Sequence, residues 1–277
     1  MYIIDYLQTE AIFLNGEGKR KDDIIFTLLK KAAEHDVIPS GKEDAIFKAV
    51  MEREMQSSTG IGNGIAIPHC RTDLVRHGTI IAGTFPSGIP YHSLDNNPVT
   101  IVFLFIFPGL ENKEYLQVLA KTARLLQDEA IRNKLVLTQS REEFRSVIAK
   151  NDIIPIQKGT NGGKYLFILA LSDQKKMKTV ISNLVEIGAH TSLIVDSETL
   201  EKKLAYDIPI FAGLSYFKGK SPYSKTFIGI LDNSHQIDYL NDLLKKEDID
   251  LSIPGAGFLL SIKTEKIIGG IPREVDI

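Results

Sequence analysis

The sequence is poor in cysteine, with one residue, Cys70, in 277. A lone cysteine excludes an intrachain disulfide framework and fits a reducing, cytoplasmic setting. Long hydrophobic runs are missing as well. The most apolar stretch, VTIVFLFIF at Val99–Phe107, is far short of the ~20 residues that a membrane-spanning helix needs. With Pro108-Gly109 behind it, this stretch reads as a fully buried strand. No basic segment followed by an apolar one opens the chain, so no secretory signal is expected. Charge of one sign is also absent: 33 Lys and Arg against 35 Asp and Glu leave a formal net charge of −2. That balance argues against nucleic acid as a partner. The chain has no internal repeat and no low-complexity tract.

What remains is an ordinary globular composition, 43% hydrophobic and 25% charged, in which each half can bury a core. At roughly 100–200 residues per domain, the length predicts two domains. The seam is NDIIPIQKGTNGG, Asn151–Gly163, rich in turn residues. It separates a domain over 1–150 from one over 164–277, with 151–163 as the linker. The first domain alternates helices and strands. A short strand falls at Ala11–Leu14, and apolar pairs at helical spacing mark Asp22–Ala33. Capping boxes at Ser40–Glu43 and Ser140–Glu143 open two further helices. Strands are expected at Gly64–Ile67, Thr79–Phe85 and Val99–Phe107, followed by a helix from Asn112 to Leu126. This is an α/β (α+β) layer domain. The second domain reads as strands Tyr165–Leu171, Thr191–Val195, Thr226–Leu231 and Gly257–Ile262. Its helices carry Met177, Val180, Ile181 and Leu184, then Ile237, Leu240 and Leu244. That order is βαββαβ, the ferredoxin-like arrangement. A connection over about Glu198–Lys225, basic and aromatic toward its end (YFKGKSPYSK), is long enough to be functional.

The chemistry concentrates in REMQSSTGIGNGIAIPHCR, Arg53–Arg71. Gly60, Gly62 and Gly64 permit unusual backbone angles and close approach of N–H groups to an anion. Ser57, Ser58 and Thr59 add hydroxyls. Pro68 ends the apolar run, and His69 follows at the strand end, where it can use one ring nitrogen as nucleophile while the other is fixed. Arg53 lies seven residues after Ile46 and three after Val50, so it continues their helix face and needs a partner. Phosphate oxygens on His69 suit a guanidinium. Alternating glycines alone match neither the P-loop nor the dinucleotide fingerprint. A histidine after proline is often no more than a turn residue. Cys70 reads as a small packed side chain. His35, His77, His92, His190 and His235 form no ligand spacing, so no metal is expected. Lys245–Asp248 is a solvated helix end.

STGIGNGIAIPHCR, preceded by ERE, closely resembles the phosphorylation-site signature of the fructose/mannitol-type enzyme IIA family of the bacterial phosphotransferase system. NKEYLQVLAKTARLL extends the likeness, which covers about half the chain. The resemblance implies a mixed sheet with flanking helices. It also implies a phosphotransferase component with a phosphohistidine intermediate. His69 would take a phosphoryl group from the phosphocarrier HPr and pass it to a IIB partner in sugar uptake or its regulation. Arg53 would stabilise the phosphohistidine. Ser58, Thr59, Gly62, Asn63 and Tyr115 would bind the phosphoryl group, without cofactor. Tyr115 stands where the family usually has a second histidine; its hydroxyl can donate a hydrogen bond but carries no positive charge at neutral pH. Asn63 stands where mannitol-type members have glutamate.

The second domain resembles the PII-like signalling family in layout, with GKYLFILALSDQKKMKTVISNLVEIGA and GAGFLLSIKTEKIIGG as the similar stretches. That likeness implies a homo-oligomer (a trimer), a nucleotide held between subunits, and a loop that acts on a target such as a membrane transporter. Fold alone does not carry function. Two other readings therefore stand beside phosphoryl transfer. One is a sensor whose His69 phosphorylation controls the C-terminal domain. The other is a non-catalytic nucleotide- or anion-binding module.

Overall fold

The computed structural model describes residues 2–109, 112–152, 163–171, 174–189, 192–198, 223–253 and 256–269. The chain forms two compact units, Met1–Ile154 and Pro155–Ile277. The expected linker and the connection over 198–225 lie largely outside the described residues.

In the first unit the elements run β1 (Ile12–Phe13), α1 (Lys21–Glu34), α2 (Glu43–Gln56), β2 (Gly60–Gly62), β3 (Ile65–Ala66) and β4 (His69–Arg71). They continue with β5 (Thr79–Ile89), β6 (Val99–Phe107), α3 (Asn112–Leu125), α4 (Glu129–Leu137) and α5 (Arg141–Asn151). The sheet is mixed, in the order β1-β5-β6-β3-β2, with β4 also paired to β6. β6 is its centre. It runs antiparallel to β5 and parallel to both β3 and β4. A strand paired on both sides and covered on both faces has no use for polar residues, and seven consecutive residues, Ile101–Phe107, are buried. Helix α1 covers the sheet with Ile24, Ile25, Leu28, Leu29, Ala32 and Ala33.

Several local expectations need correction. Ser40 does not cap α2: the N-cap is Lys42, without a side-chain bond. Gly41 takes φ +76°, and this left-handed residue turns the chain between Ser40 and the helix. Ser140 does cap α5, its hydroxyl accepting the Glu143 N–H at 3.1 Å. Helix α4 was not expected; the Asp128 carboxylate caps it by accepting the N–H groups of Ala130 and Ile131, a signal the sequence does contain.

The second unit has β7 (Tyr165–Leu171), α6 (Met177–Glu186), β8 (Leu193–Glu198), β9 (Tyr223–Leu231), α7 (His235–Lys246) and β10 (Gly257–Lys263). Its antiparallel sheet has the order β10-β7-β9-β8. This is the ferredoxin-like arrangement expected from βαββαβ. Phe167, Leu169, Phe227 and Leu231 are buried with Val180, Leu184, Leu240 and Leu244 of the helices. Strand alternation sends the other set to the opposite face. There Leu193, Val195, Phe258, Leu260 and Ile262 are 44–56% exposed. Leu166, Ile168, Ile228 and Ile230 lie between them in register.

Candidate functional site

Pro68 is the hinge of the site. It separates β3 from β4, which continue along the same neighbour. Ala66 pairs with Val102 of β6, and His69 pairs with Phe105. Between them the Pro68 carbonyl accepts the Phe105 N–H at 2.9 Å. His69 therefore begins a strand of its own rather than a loop, contrary to the sequence expectation. The proline lacks an N–H, so the ladder loses one donor there without losing its direction.

Alternation along β4 divides three neighbours. Cys70 points into the core and is buried, while His69 and Arg71 share the half-exposed face. Burial pushes the Cys70 thiol up to about 12, so it is no nucleophile at neutral pH. The His69 Nδ1 lies 2.8 Å from the Ile67 carbonyl. A carbonyl only accepts, so Nδ1 carries the proton and Nε2 holds the lone pair. Burial lowers the His69 pKa below its ordinary 6.5, as does the positive charge of Arg53. The Ile67 carbonyl and Glu54 oppose that shift. The imidazole is thus neutral and of fixed tautomer, as a nitrogen nucleophile must be.

Tyr115 closes one side. It sits on the buried stripe of α3 with Val118, Thr122 and Leu125, a helical period. Its ring centroid is 5.9 Å from that of His69 and 5.4 Å from that of Phe107. Burial raises its pKa above the ordinary value, although Arg53 and Arg71 pull the other way. The phenol is therefore protonated and a donor.

Helix α2 packs on β4. Its buried stripe is Ile46, Val50 and Glu54, so the apolar face runs into Glu54 rather than Arg53. Arg53 is half-exposed beside it, with Nη1 donating to the Ser57 carbonyl at 3.2 Å. Glu54 was not among the residues read from the sequence. Its carboxylate accepts the Thr59 N–H at 3.1 and 3.2 Å and the Thr59 hydroxyl at 2.5 Å. Lys21 of α1 pairs with it at 3.1 Å. The spacing from Val50 to Glu54 was the available signal, a carboxylate on a core stripe.

The remaining residues divide. The Ser58 hydroxyl donates to the Tyr91 carbonyl at 3.3 Å, so its proton is engaged within the protein rather than free for an anion as expected. Thr59 is buried and its donors serve Glu54, so it is not available to an anion as expected. Gly62 and Asn63 form the β2–β3 turn, with Gly62, Asn63 and Gly64 at φ +92°, +55° and +75°. That turn meets β6 at Thr100, which donates to the Gly64 carbonyl. Phe105, opposite His69, is five residues further on, about 16 Å at the usual strand rise. The Asn63 N–H is also taken by the Asp95 carboxylate at 2.8 Å, a bond that holds Asp95 near pKa 2. The alternating glycines therefore build a hairpin, not an anion cradle at His69. His77 and His92 are exposed. Among the described residues no cluster of three His, Cys, Asp or Glu could hold a metal, and no helix is long and apolar enough to cross a membrane.

Residues 5–151 match the family described as phosphoenolpyruvate-dependent sugar phosphotransferase system, EIIA 2. Over 155 residues the chain is 36% identical to the PTS system fructose-specific EIIABC component of Bacillus subtilis, covering 55% of this chain and 24% of that protein. It is 31% identical to the PTS system fructose-specific EIIA component of Haloferax volcanii, over 51% of this chain and 90% of that one. It is 32% identical to a nitrogen regulatory protein of Bradyrhizobium diazoefficiens, over 54% of this chain and 95% of that one. The chain thus spans about a quarter of the Bacillus protein and nearly all of the other two.

His69 is expected to titrate below 6.5 in ring-resolved NMR, and Arg53→Gln to raise its midpoint by removing a charge that repels the imidazolium. Between the lowered value and 6.5 the unfolded chain holds a proton that the folded chain does not. Folding stability is therefore lost as pH falls through 6.5. A His69 midpoint at or above 6.5 would contradict this electrostatic reading.

Proposed function

Because its residues 5–151 make this chain a member of the phosphoenolpyruvate-dependent sugar phosphotransferase system EIIA 2 family, we propose that it carries a phosphoryl group on His69. Phospho-HPr is the donor and a IIB protein or domain the acceptor. The observation that carries the reading is the hydrogen bond from Nδ1 to the Ile67 carbonyl, which leaves Nε2 as nucleophile. Nε2 attacks phosphorus in line, the N–P bond of the donor's phosphohistidine breaks, and its imidazole leaves with the electron pair. The Nδ1 proton stays on His69. Arg53 and the Tyr115 hydroxyl hold the equatorial oxygens, where charge needs stabilising. Transfer to the acceptor reverses these steps.

A second reading, in sugar-system regulation rather than uptake, is favoured by the nitrogen regulatory relative and by Tyr115. A neutral phenol supplies less charge to the phosphoryl group than a cation would. In this reading the phosphorylation state of His69 sets the output of the C-terminal domain, delivered to a target such as a membrane transporter. The open face of the second sheet supports a homo-oligomer. Leu193, Val195, Phe258, Leu260 and Ile262 expose apolar side chains on it, so a second copy of itself is a fitting cover.

Incubation with enzyme I, HPr and phosphoenolpyruvate is expected to add one acid-labile phosphoryl group, read by intact mass, with none on His69→Ala. Arg53→Gln slows the gain on the order of 10²-fold, the scale of losing one charge-stabilising donor. No gain by the wild-type chain after long incubation contradicts the carrier reading. For the oligomer, light scattering of the full chain should give a multiple of the single-chain mass, and Leu260→Asp should reduce it. A monomeric wild type sinks that part.

A further inference from the structure

We propose that Glu54 is the positioning residue of the His69 site, acting through Thr59 and Ile67 rather than touching the reacting atoms. The inference rests on His69 being the phosphoryl carrier.

A continuous chain of hydrogen bonds joins Glu54 to His69. The Glu54 carboxylate takes both donors of Thr59, its N–H and its hydroxyl. The Thr59 carbonyl accepts the Ile67 N–H at 3.0 Å. The Ile67 carbonyl in turn accepts the His69 Nδ1–H at 2.8 Å. Two residues of backbone therefore separate the carboxylate from the atom that fixes the histidine tautomer. Glu54 itself is 3% exposed. An ion so buried is costly unless it is paired and bonded, and Lys21 from α1 supplies the pair. The Thr59 hydroxyl also meets the Tyr91 hydroxyl at 3.2 Å, while Lys21 lies over the Tyr91 ring at 5.6 Å. The Glu54 bonds thus anchor Thr59 to α2 and, through Lys21, to α1. The same Ser57–Thr59 segment carries the Ser57 carbonyl that receives Arg53. One carboxylate consequently sets the positions of the imidazole and the guanidinium.

The Glu54 charge raises the His69 pKa through space whatever its structural role, so the rate and the state of the His69 Nδ1 proton, rather than the midpoint alone, separate a positioning carboxylate from a structural one. The groups acting on His69 are Arg53 and Glu54 of α2, with Tyr115 of α3 against its ring and Arg71 beside it on β4. Of these Glu54 is the carboxylate, and Glu54→Gln keeps its shape while removing its charge.

The test uses the full chain as wild type, Glu54→Gln and Thr59→Val. The His69 midpoint is read by NMR without phosphorylation, and initial rates are read against phospho-HPr concentration. Glu54→Gln is expected to lower the His69 midpoint and to cut kcat about tenfold or more, with KM for phospho-HPr unchanged, since transition-state positioning is lost and docking is not. Glu54→Asp should recover part of the rate. Thr59→Val, which keeps the buried Lys21–Glu54 pair, should cut kcat several-fold. A folded Glu54→Gln chain with the wild-type kcat overturns the proposal, whatever its His69 midpoint. If that variant does not fold, a Thr59→Val chain with wild-type kcat overturns it. Failure of the wild type to accept phosphoryl groups would instead contradict the carrier reading, and a His69 Nδ1 proton as protected in Glu54→Gln as in the wild type would still overturn the positioning role.

Discussion

The contact on which the site depends is the hydrogen bond between the His69 Nδ1 and the carbonyl of Ile67, two residues earlier. It can form because Pro68 interrupts the ladder between β3 and β4 while both strands keep their pairing to β6. A regular strand would direct the Ile67 carbonyl into a neighbour. Here the break leaves it for the imidazole. The buried centre of the sheet supports this, since the register of β6 from Ile101 to Phe107 decides where both short strands lie. Core packing and the geometry of the His69 ring are therefore one constraint.

Around that bond the charges are arranged in opposition. Arg53 and Glu54 are consecutive on α2 and act on His69 with opposite sign. Arg53 half-faces solvent, where a dianionic group can reach it. Glu54 lies beneath, tied to Thr59 and Lys21, where it cannot repel that group directly. Tyr115 adds a protonated phenol, and Arg71 shares its strand face with His69. A neutral imidazole among these groups gains much of the charge complement it lacks when a phosphoryl group arrives.

Much of this was legible in the sequence, for identifiable reasons. VTIVFLFIF can only be a buried strand, and βαββαβ spacing in the second half leads to the antiparallel order found. His69 stood out as the candidate because proline, histidine and a glycine-rich approach sit together, and Arg53 because it lies close to the core stripe of α2. Glu54 was missed because the stripe through Ile46 and Val50 was extended to the arginine instead of the carboxylate one residue later. Gly62 and Asn63 were assigned to the anion because glycines are permissive in hairpins and in anion cradles alike. Only the pairing with β6 and the Asp95 carboxylate separate those uses. The short strand β4 was hidden because proline normally signals an end. The Ser40 box failed because a left-handed glycine intervened, a tertiary choice that the local pattern does not contain.

The most direct measurement is the identity of the phosphorylated nitrogen. Nitrogen-15 labelled protein, phosphorylated through enzyme I and HPr, would be read by NMR for phosphorus coupling in the His69 ring. The account predicts coupling at Nε2, with the Nδ1 proton still present and protected. A phosphoryl group on Nδ1, or on a residue other than His69, would contradict it.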